Sequence, residues 1–356
     1  MDNNKKKEEL YKKLIDMLPI KRKDNSDFKV VLETALENYV DLIKNAGIIE
    51  LTQEYISDIE SSCNTIKEIV TLQCQGKHSE AFAKLPDIIK NRVITYSSDH
   101  PSLYRMRKLE ANEKLGYRDM FHIPLEKRGK VKTQRYSVPG YPCLYMGESI
   151  NACWEEMGRP SSWMVSELTY NNGMILVDLR IPNKKLFYIP AYSTLLRFPL
   201  IIACMVPVLN DKDDYKPEYI IPQLLMEYIF SGYNRGYKRE YTCEDFYNTI
   251  HGIRYTSVHK NTDFGFPNEK FDNIVIPIVE ATKNRGHCPV LCEQFQITEP
   301  TCDEYEHIRG ESSVDLGKAG YDSEEQLKRN YEVSMFGKME ERLKQRKSNK
   351  ITNEDE

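Results

Sequence analysis

A change of hydrophobic period near residue 96 restricts this chain more than any other feature. Before that point, apolar residues recur every three or four positions. "DFKVVLETALENYVDLIKNAG" sets Phe28, Val31, Leu32, Ala35, Leu36, Tyr39, Val40, Leu42 and Ile43 close to one helical stripe, and Gly47 supplies a stop. "TQEYISDIESSCNTIKEIVTLQCQGKHSEAFAKLPDIIKN" continues as further helices, with Thr52 and Ser79 as N-caps. A strand alternates faces at every residue, so a 3.6-residue stripe cannot be kept on one side of a sheet. Residues 1–95 are therefore predicted to form a helical N-terminal region. No glycine-rich or catalytic pattern appears in it, which suits an adaptor.

After residue 96 the apolar runs shorten and are separated by Pro, Gly and Asn. "PCLYMG", "GMILVDLR", "GIRYTSV", "NIVIPIV" and "CPVLCEQFQIT" read as strands bounded by turns. "PQLLMEYIFSGY" is longer and fits a helix. "LLRFPLIIACMVPVL" reads as a buried segment, because it is too short to span a bilayer and holds Arg197 and two prolines. Many strands with few helices, preceded by a helical region, give the α+β class. The expected division is 1–95 helical, 96–320 an α+β domain, and 321–356 a charged C-terminal helix and tail that frays at its end.

Composition excludes several partners. The chain has 356 residues and a formal net charge of -4, so bulk attraction to nucleic acid or an anionic membrane is not expected. The basic N-terminus lacks the apolar core of a secretory signal. Nine cysteines, odd in number and scattered, read as free thiols in a reducing cytoplasm. His287, Cys288, Cys292, Cys302 and His307 have the composition of a zinc set, but Pro-Val-Leu between two of the thiols reads as strand. They are taken as buried thiols, and no metal is expected.

Chemistry-bearing residues occur in four places. In "SLYRMRK", Arg105 and Arg107 are two apart and would share one face of a strand, which suits a polyanion or a solvated edge. "FHIPLEKRGKVKTQRYSVPG" clusters Lys127, Arg128, Lys130, Lys132 and Arg135 on a loop that binds phosphate or is merely solvated; His122 there reads as structural. "GYPCLYMGESINACWEEM" puts Tyr145 before a turn and Glu155-Glu156 on the helix after it. With Ser149 as cap, Ala152, Cys153 and Glu156 share a face, so Glu156 is expected inward and Glu155 outward. In "HGIRYTSVHKN", Ile253, Tyr255 and Ser257 share a face; Ser257 lacks a nucleophile elbow and reads as a hydrogen-bond donor.

The ordered set "LYRMR", "MFHIP", "QRYSVPGYPCLYMGESINACWEEM", "EYIIPQLL" and "GIRYTSV…FDNIVIP" resembles the RES domain, named for its Arg, Glu and Ser, over roughly residues 100–300. The chain resembles the longer branch of that family rather than the short bacterial toxins of toxin–antitoxin pairs. The resemblance implies a fold like the ADP-ribosyltransferase toxins. It also implies an NAD glycohydrolase or NAD phosphorylase, splitting the nicotinamide–ribose bond with water or phosphate as acceptor. NAD is then a substrate rather than a cofactor, and an antitoxin or regulatory protein is an expected partner. Carried over by position, the family Arg is Arg105 with Arg107 adjacent, and the second Arg is Arg135. The Tyr is Tyr145, the Glu is Glu156 or its neighbour Glu155, the Ser is Ser257 beside Tyr255, and Asn273 matches a weaker position. The resemblance implies that Glu156, Arg105 and Ser257 act in catalysis, while Arg107, Arg135, Tyr145, Tyr255 and Asn273 bind NAD. Transfer of ADP-ribose to a macromolecule and a non-catalytic nucleotide- or partner-binding module are the competing readings.

Overall fold

The computed structural model describes residues 3–23, 26–89, 94–97, 102–110, 113–171, 173–182, 192–231, 250–259, 266–278, 285–302 and 324–352. The chain is α+β with a helical N-terminal region. It divides into two compact units: Met1–Thr95, Thr133–Val138 and Val177–Asn234 form the first, and Tyr96–Lys132, Pro139–Leu176 and Arg235–Glu356 form the second.

The first unit is helical because its apolar stripes can be buried against one another. It begins with α1 (Asn3–Asp16), α2 (Phe28–Lys44), α3 (Gln53–Cys74), α4 (His78–Ala83) and α5 (Leu85–Ile89). The expected stripe on α2 is buried through Phe28, Leu32, Ala35, Leu36, Tyr39 and Ile43. Asp27 caps α2 and Thr52 caps α3, each accepting a backbone N–H of the first turn. Ser79 falls inside α4, which has no side-chain cap. The later helices of this unit are α7 (Tyr192–Cys204) and α8 (Ile220–Phe230). Their buried faces account for the long apolar runs that sequence alone left without partners. Tyr39 stacks on Phe198 at 5.1 Å, and its hydroxyl donates to the Leu195 carbonyl at 2.6 Å.

Arg197 is not a defect in its apolar helix. Its guanidinium donates to Asp178 at 2.8 Å, and Arg180 adds a fork at 2.9 and 3.0 Å. Burial alone would raise the Asp178 carboxyl, but the Arg180 hydrogen bonds and the charges of Arg197 and Arg180 hold it well below its usual value. A carboxylate with a depressed pKa stabilises the fold fully above its unfolded value near 3.8, and this stabilisation is lost as pH falls from there toward the folded value. Asp178→Asn should therefore destabilise the first unit by about 3 kcal/mol at neutral pH, the cost of breaking a buried pair. The gap from the parent in melting temperature should narrow when both proteins are taken from about pH 7 to about pH 3. A gap that does not change with pH would mean that the aspartate acts only by packing.

The second unit is built on the sheet. The strands are β1 (Ile94–Ser97), β2 (Leu103–Lys108), β3 (Cys143–Gly147), β4 (Trp163–Tyr170), β5 (Met174–Leu179), β6 (Gly252–Thr256), β7 (Asp272–Pro277), β8 (Phe295–Thr298) and β9 (Ser348–Lys350). Among the described residues their order is β1-β5-β6-β7-β3-β2-β4-β8-β9, with the boundary between the units falling inside β1 and β5. One face of the sheet buries Leu103, Leu144, Met146, Met164, Leu168, Ile274 and Ile276 with Phe121 and Leu125. The other carries Tyr104, Met106, Trp163 and Val165 under Ile150 and Cys153 of α6 (Ile150–Glu156).

Two segments differ from their sequence reading. "CPVLC" was expected as strand, but α9 (Pro289–Gln294) starts there, because proline at the first helical turn costs no hydrogen bond. The strand β8 follows it. The C-terminal stretch was expected as a charged helix whose end frays. The helix is there as α10 (Glu324–Glu332), but a second helix, α11 (Met335–Lys344), and β9 follow it where fraying was expected. Phe336, Met339, Glu340 and Leu343 lie on one stripe of α11 and are buried, which ties the segment to the core.

Candidate active site

Backbone register places most of the candidate residues before any side chain is considered. Tyr104 lies opposite Gly147, Gly147 opposite Asn273, and Asn273 opposite Tyr255. This row crosses four strands on one face of the sheet. The next row on that face holds Tyr145, Val275 and Ile253. Helix α6 rests on the first row. A Cβ on Gly147 would meet Cys153 Sγ at 2.7 Å, so glycine is what allows the helix so close to the sheet. The Cys153 thiol donates to the Tyr104 carbonyl at 3.1 Å, and burial pushes its pKa up to about 12.

Ser149 caps α6 as expected, accepting the Ala152 N–H at 2.9 Å. At the other end of the helix, the two acids divide the opposite way from the sequence reading. Glu155 is buried and Glu156 is exposed. Gly158 and Arg159 both take the left-handed conformation, with φ of 71° and 57°. That turn carries the Arg159 guanidinium over the Trp154 ring at 5.4 Å and onto Glu155 with a fork of 2.9 and 3.0 Å. Glu155 is thus the acid already neutralised. Glu156 points away from this pair and accepts from the Ser257 hydroxyl at 2.5 Å.

Ser257 follows the last residue of β6 and is fully buried. Its N–H donates to the Phe271 carbonyl at 2.9 Å, and its Oγ accepts the His259 N–H at 3.1 Å while donating to Glu156. One hydroxyl is therefore fixed as a donor toward one carboxylate oxygen. The other oxygen of Glu156 has no hydrogen bond among the described residues.

Arg105 is held differently. Register places it on the face opposite Tyr145. Strand β2 pairs with β4 from Leu103↔Leu168 to Lys108↔Trp163, but with β3 at Tyr104↔Gly147. Past that position the Arg105 side chain takes over from the backbone ladder and donates to the Tyr145 carbonyl at 2.9 Å. Its Nε is buried without a partner, and among the described residues no carboxylate pairs with it. Burial, then the neighbouring charge of Arg107, lowers its pKa to about 10, so the group is still a cation at neutral pH.

The sequence is 28% identical over 354 residues to "Putative toxin YopC" of Bacillus subtilis (strain 168), a match that takes in 91% of this chain and 77% of that protein. No family model matches the sequence, and no solved structure matches it.

The remaining candidates differ in their surroundings. Asn273 is buried beside Tyr255, and its amide donates to the Phe271 carbonyl at 3.4 Å. Arg107 is occupied by Glu113 at 3.3 Å and the Asp119 carbonyl at 3.1 Å. Arg135 belongs to the first unit, where it donates to the Cys204 and Val206 carbonyls at 2.9 and 3.1 Å and lies over Tyr219 at 5.2 Å. His122 is buried, accepts the Cys288 N–H at 2.9 Å, and is pushed down to about 3 by burial and by His287, so it is a neutral structural group. Among the described residues no cluster of three or more His, Cys, Asp or Glu side chains could hold a metal ion, and no helix is long and apolar enough to cross a membrane. Cys243 and His307 lie outside the described residues.

Several residues that shape the site escaped the sequence reading. Arg254 forks onto Glu148 at the turn between β3 and α6. Arg159 neutralises Glu155, and Lys270 and Glu340 hold the start of α6. For Glu340 a signal existed: it is an acid on the apolar stripe of its helix.

Proposed function

We propose that this protein is a toxin-like enzyme that cleaves NAD at the nicotinamide–ribose bond. The observation that carries the reading is the contact between Glu156 and the buried Ser257 hydroxyl. Among the described residues it presents a fixed carboxylate with one oxygen free, on the same unit as a desolvated cation without a carboxylate partner. The relative named a toxin supports the toxin-like part, and the RES resemblance supports the choice of NAD.

The chemistry needs little from the protein. Nicotinamide leaves with the electron pair of the C–N bond, which neutralises its ring nitrogen, so no proton donor is required. The ribose carbon becomes oxocarbenium-like, and a preorganised carboxylate beside it lowers the barrier. In this reading Glu156 is that carboxylate, and Ser257 holds it in one orientation. Arg105 receives a phosphate oxygen of the substrate, as guanidinium forks do. Tyr145 packs against the nicotinamide ribose, and Asn273 and Tyr255 line the same face of the sheet. Attack by water gives ADP-ribose and a proton; attack by phosphate gives the 1-phosphate of ADP-ribose.

The test is to incubate the purified full chain with NAD, with and without inorganic phosphate, and follow free nicotinamide. Release is expected, and its dependence on phosphate names the acceptor. Label that passes from NAD to a macromolecule would show ADP-ribosyl transfer. Binding of NAD with no release, even after addition of cell lysate, would overturn the catalytic reading in favour of a binding module.

A further inference from the structure

The C-terminal helices reach the first turn of the helix that carries Glu156. Glu340 on α11 is 5% exposed. Its Oε1 accepts the Ile150 N–H at 2.9 Å and also the Tyr331 hydroxyl. The Lys270 ammonium lies 3.5 Å from Oε2 and 4.1 Å from the centre of the Tyr331 ring. Burial raises the Glu340 pKa, while Lys270, Tyr331 and the Ile150 N–H oppose the rise. A buried acid with these three partners is a built feature, since an unsatisfied one would cost the fold heavily.

The backbone of Lys270 grips the same helix end from another side. Its carbonyl accepts from Ser149 Oγ at 2.7 Å and from Asn151 Nδ2 at 3.2 Å. The next carbonyl, Phe271 O, accepts the Ser257 N–H at 2.9 Å. Residues 270 and 271 therefore tie the start of α6 to the serine that meets Glu156 at its end. Helix α6 is seven residues long, so whatever fixes its first turn also fixes its last.

We propose that Glu340 is a positioning residue, which sets Glu156 against Ser257 by capping Ile150 and holding Lys270. This rests on the reading of Glu156 as the carboxylate beside the reacting carbon. Glu340 lies in the segment that follows the RES-like region, so the reactive part of the chain is completed by its C-terminus.

The test uses the full chain with Glu340→Ala and Glu340→Gln. Two quantities are read: amide hydrogen exchange over residues 149–157, and kcat and KM for nicotinamide release. In Glu340→Ala, exchange over α6 should speed up by about tenfold or more while β4 stays protected. Its kcat should fall on the order of 10–100-fold with little change in KM, as for a displaced reacting group. Glu340→Gln keeps an oxygen for the Ile150 N–H and should recover most of both losses. Unchanged α6 exchange in Glu340→Ala would overturn the brace, whether or not the protein cleaves NAD. Lost α6 protection with unchanged kcat, or a raised KM at unchanged kcat, would overturn the positioning role. If the parent releases no nicotinamide, the proposed function fails, and the exchange measurement alone decides the brace. Should Glu340→Ala unfold, Glu340→Gln and Tyr331→Phe carry the same comparison.

Discussion

Glu156→Gln should lower the rate of nicotinamide release on the order of 10²–10³-fold, the loss expected when one electrostatic catalytic group worth about 3–4 kcal/mol is neutralised. The substitution is unusually clean at this site. A glutamine oxygen can still accept from the Ser257 hydroxyl, so the serine keeps its partner. What disappears is the negative charge that the proposed reaction needs beside the ribose. Glu156 is exposed, so its replacement should leave the melting temperature nearly unchanged. The adjacent acid is the control. Glu155→Gln removes the charge from a buried fork with Arg159, and it should cost stability before it costs chemistry. Release and melting temperature measured on both variants would separate the two acids. Full activity in Glu156→Gln, or an equal loss of activity in both variants at equal stability, would remove Glu156 from the reaction.

The pair also shows where sequence reasoning stops. Ser149 was legible as a cap, and so was the helix after it. Which acid turns inward was not legible, because that depends on how the helix ends. Gly158 and Arg159 adopt left-handed backbone, and the returning guanidinium draws Glu155 into the interior. For arginine that conformation is uncommon, and no local propensity announces it. The α2 stripe from Phe28 to Ile43 was readable because one face of one helix carries it. The partners of "LLRFPLIIACMVPVL" were not, since α7 packs in a unit whose pieces are separated in sequence. Arg105 and Arg107 were correctly seen to share a face, but equal spacing hid unequal surroundings: Glu113 neutralises one and no described carboxylate pairs with the other. The acidic and basic residues of α11 made the segment look like a charged tail, and the buried stripe among them decided otherwise.

Arg105→Met should weaken binding of ADP-ribose, and lower kcat/KM for NAD, by roughly 10–100-fold, the worth of one or two hydrogen bonds from a charged donor. Its effect on stability should run the other way. A guanidinium that is largely desolvated and has no carboxylate partner among the described residues is costly to the folded state. Its bond to the Tyr145 carbonyl returns only about 1.5–3 kcal/mol, less than the several kcal/mol that desolvating the ion costs. An unbranched apolar side chain in its place should therefore hold or raise the melting temperature. In the proposed reaction a phosphate of the substrate supplies the missing partner, because its oxygens match the guanidinium fork. Arg107→Met gives the contrast, because Glu113 already balances that charge and binding should hardly change. Arg105→Lys keeps the charge but not the fork, and should fall between the parent and Arg105→Met. Titration of ADP-ribose by calorimetry, at two salt concentrations, together with thermal melts, checks all three variants. If Arg105→Met lost stability and kept its affinity, the guanidinium would be a strut across the gap between β2 and β3, and the anion site would have to be sought elsewhere.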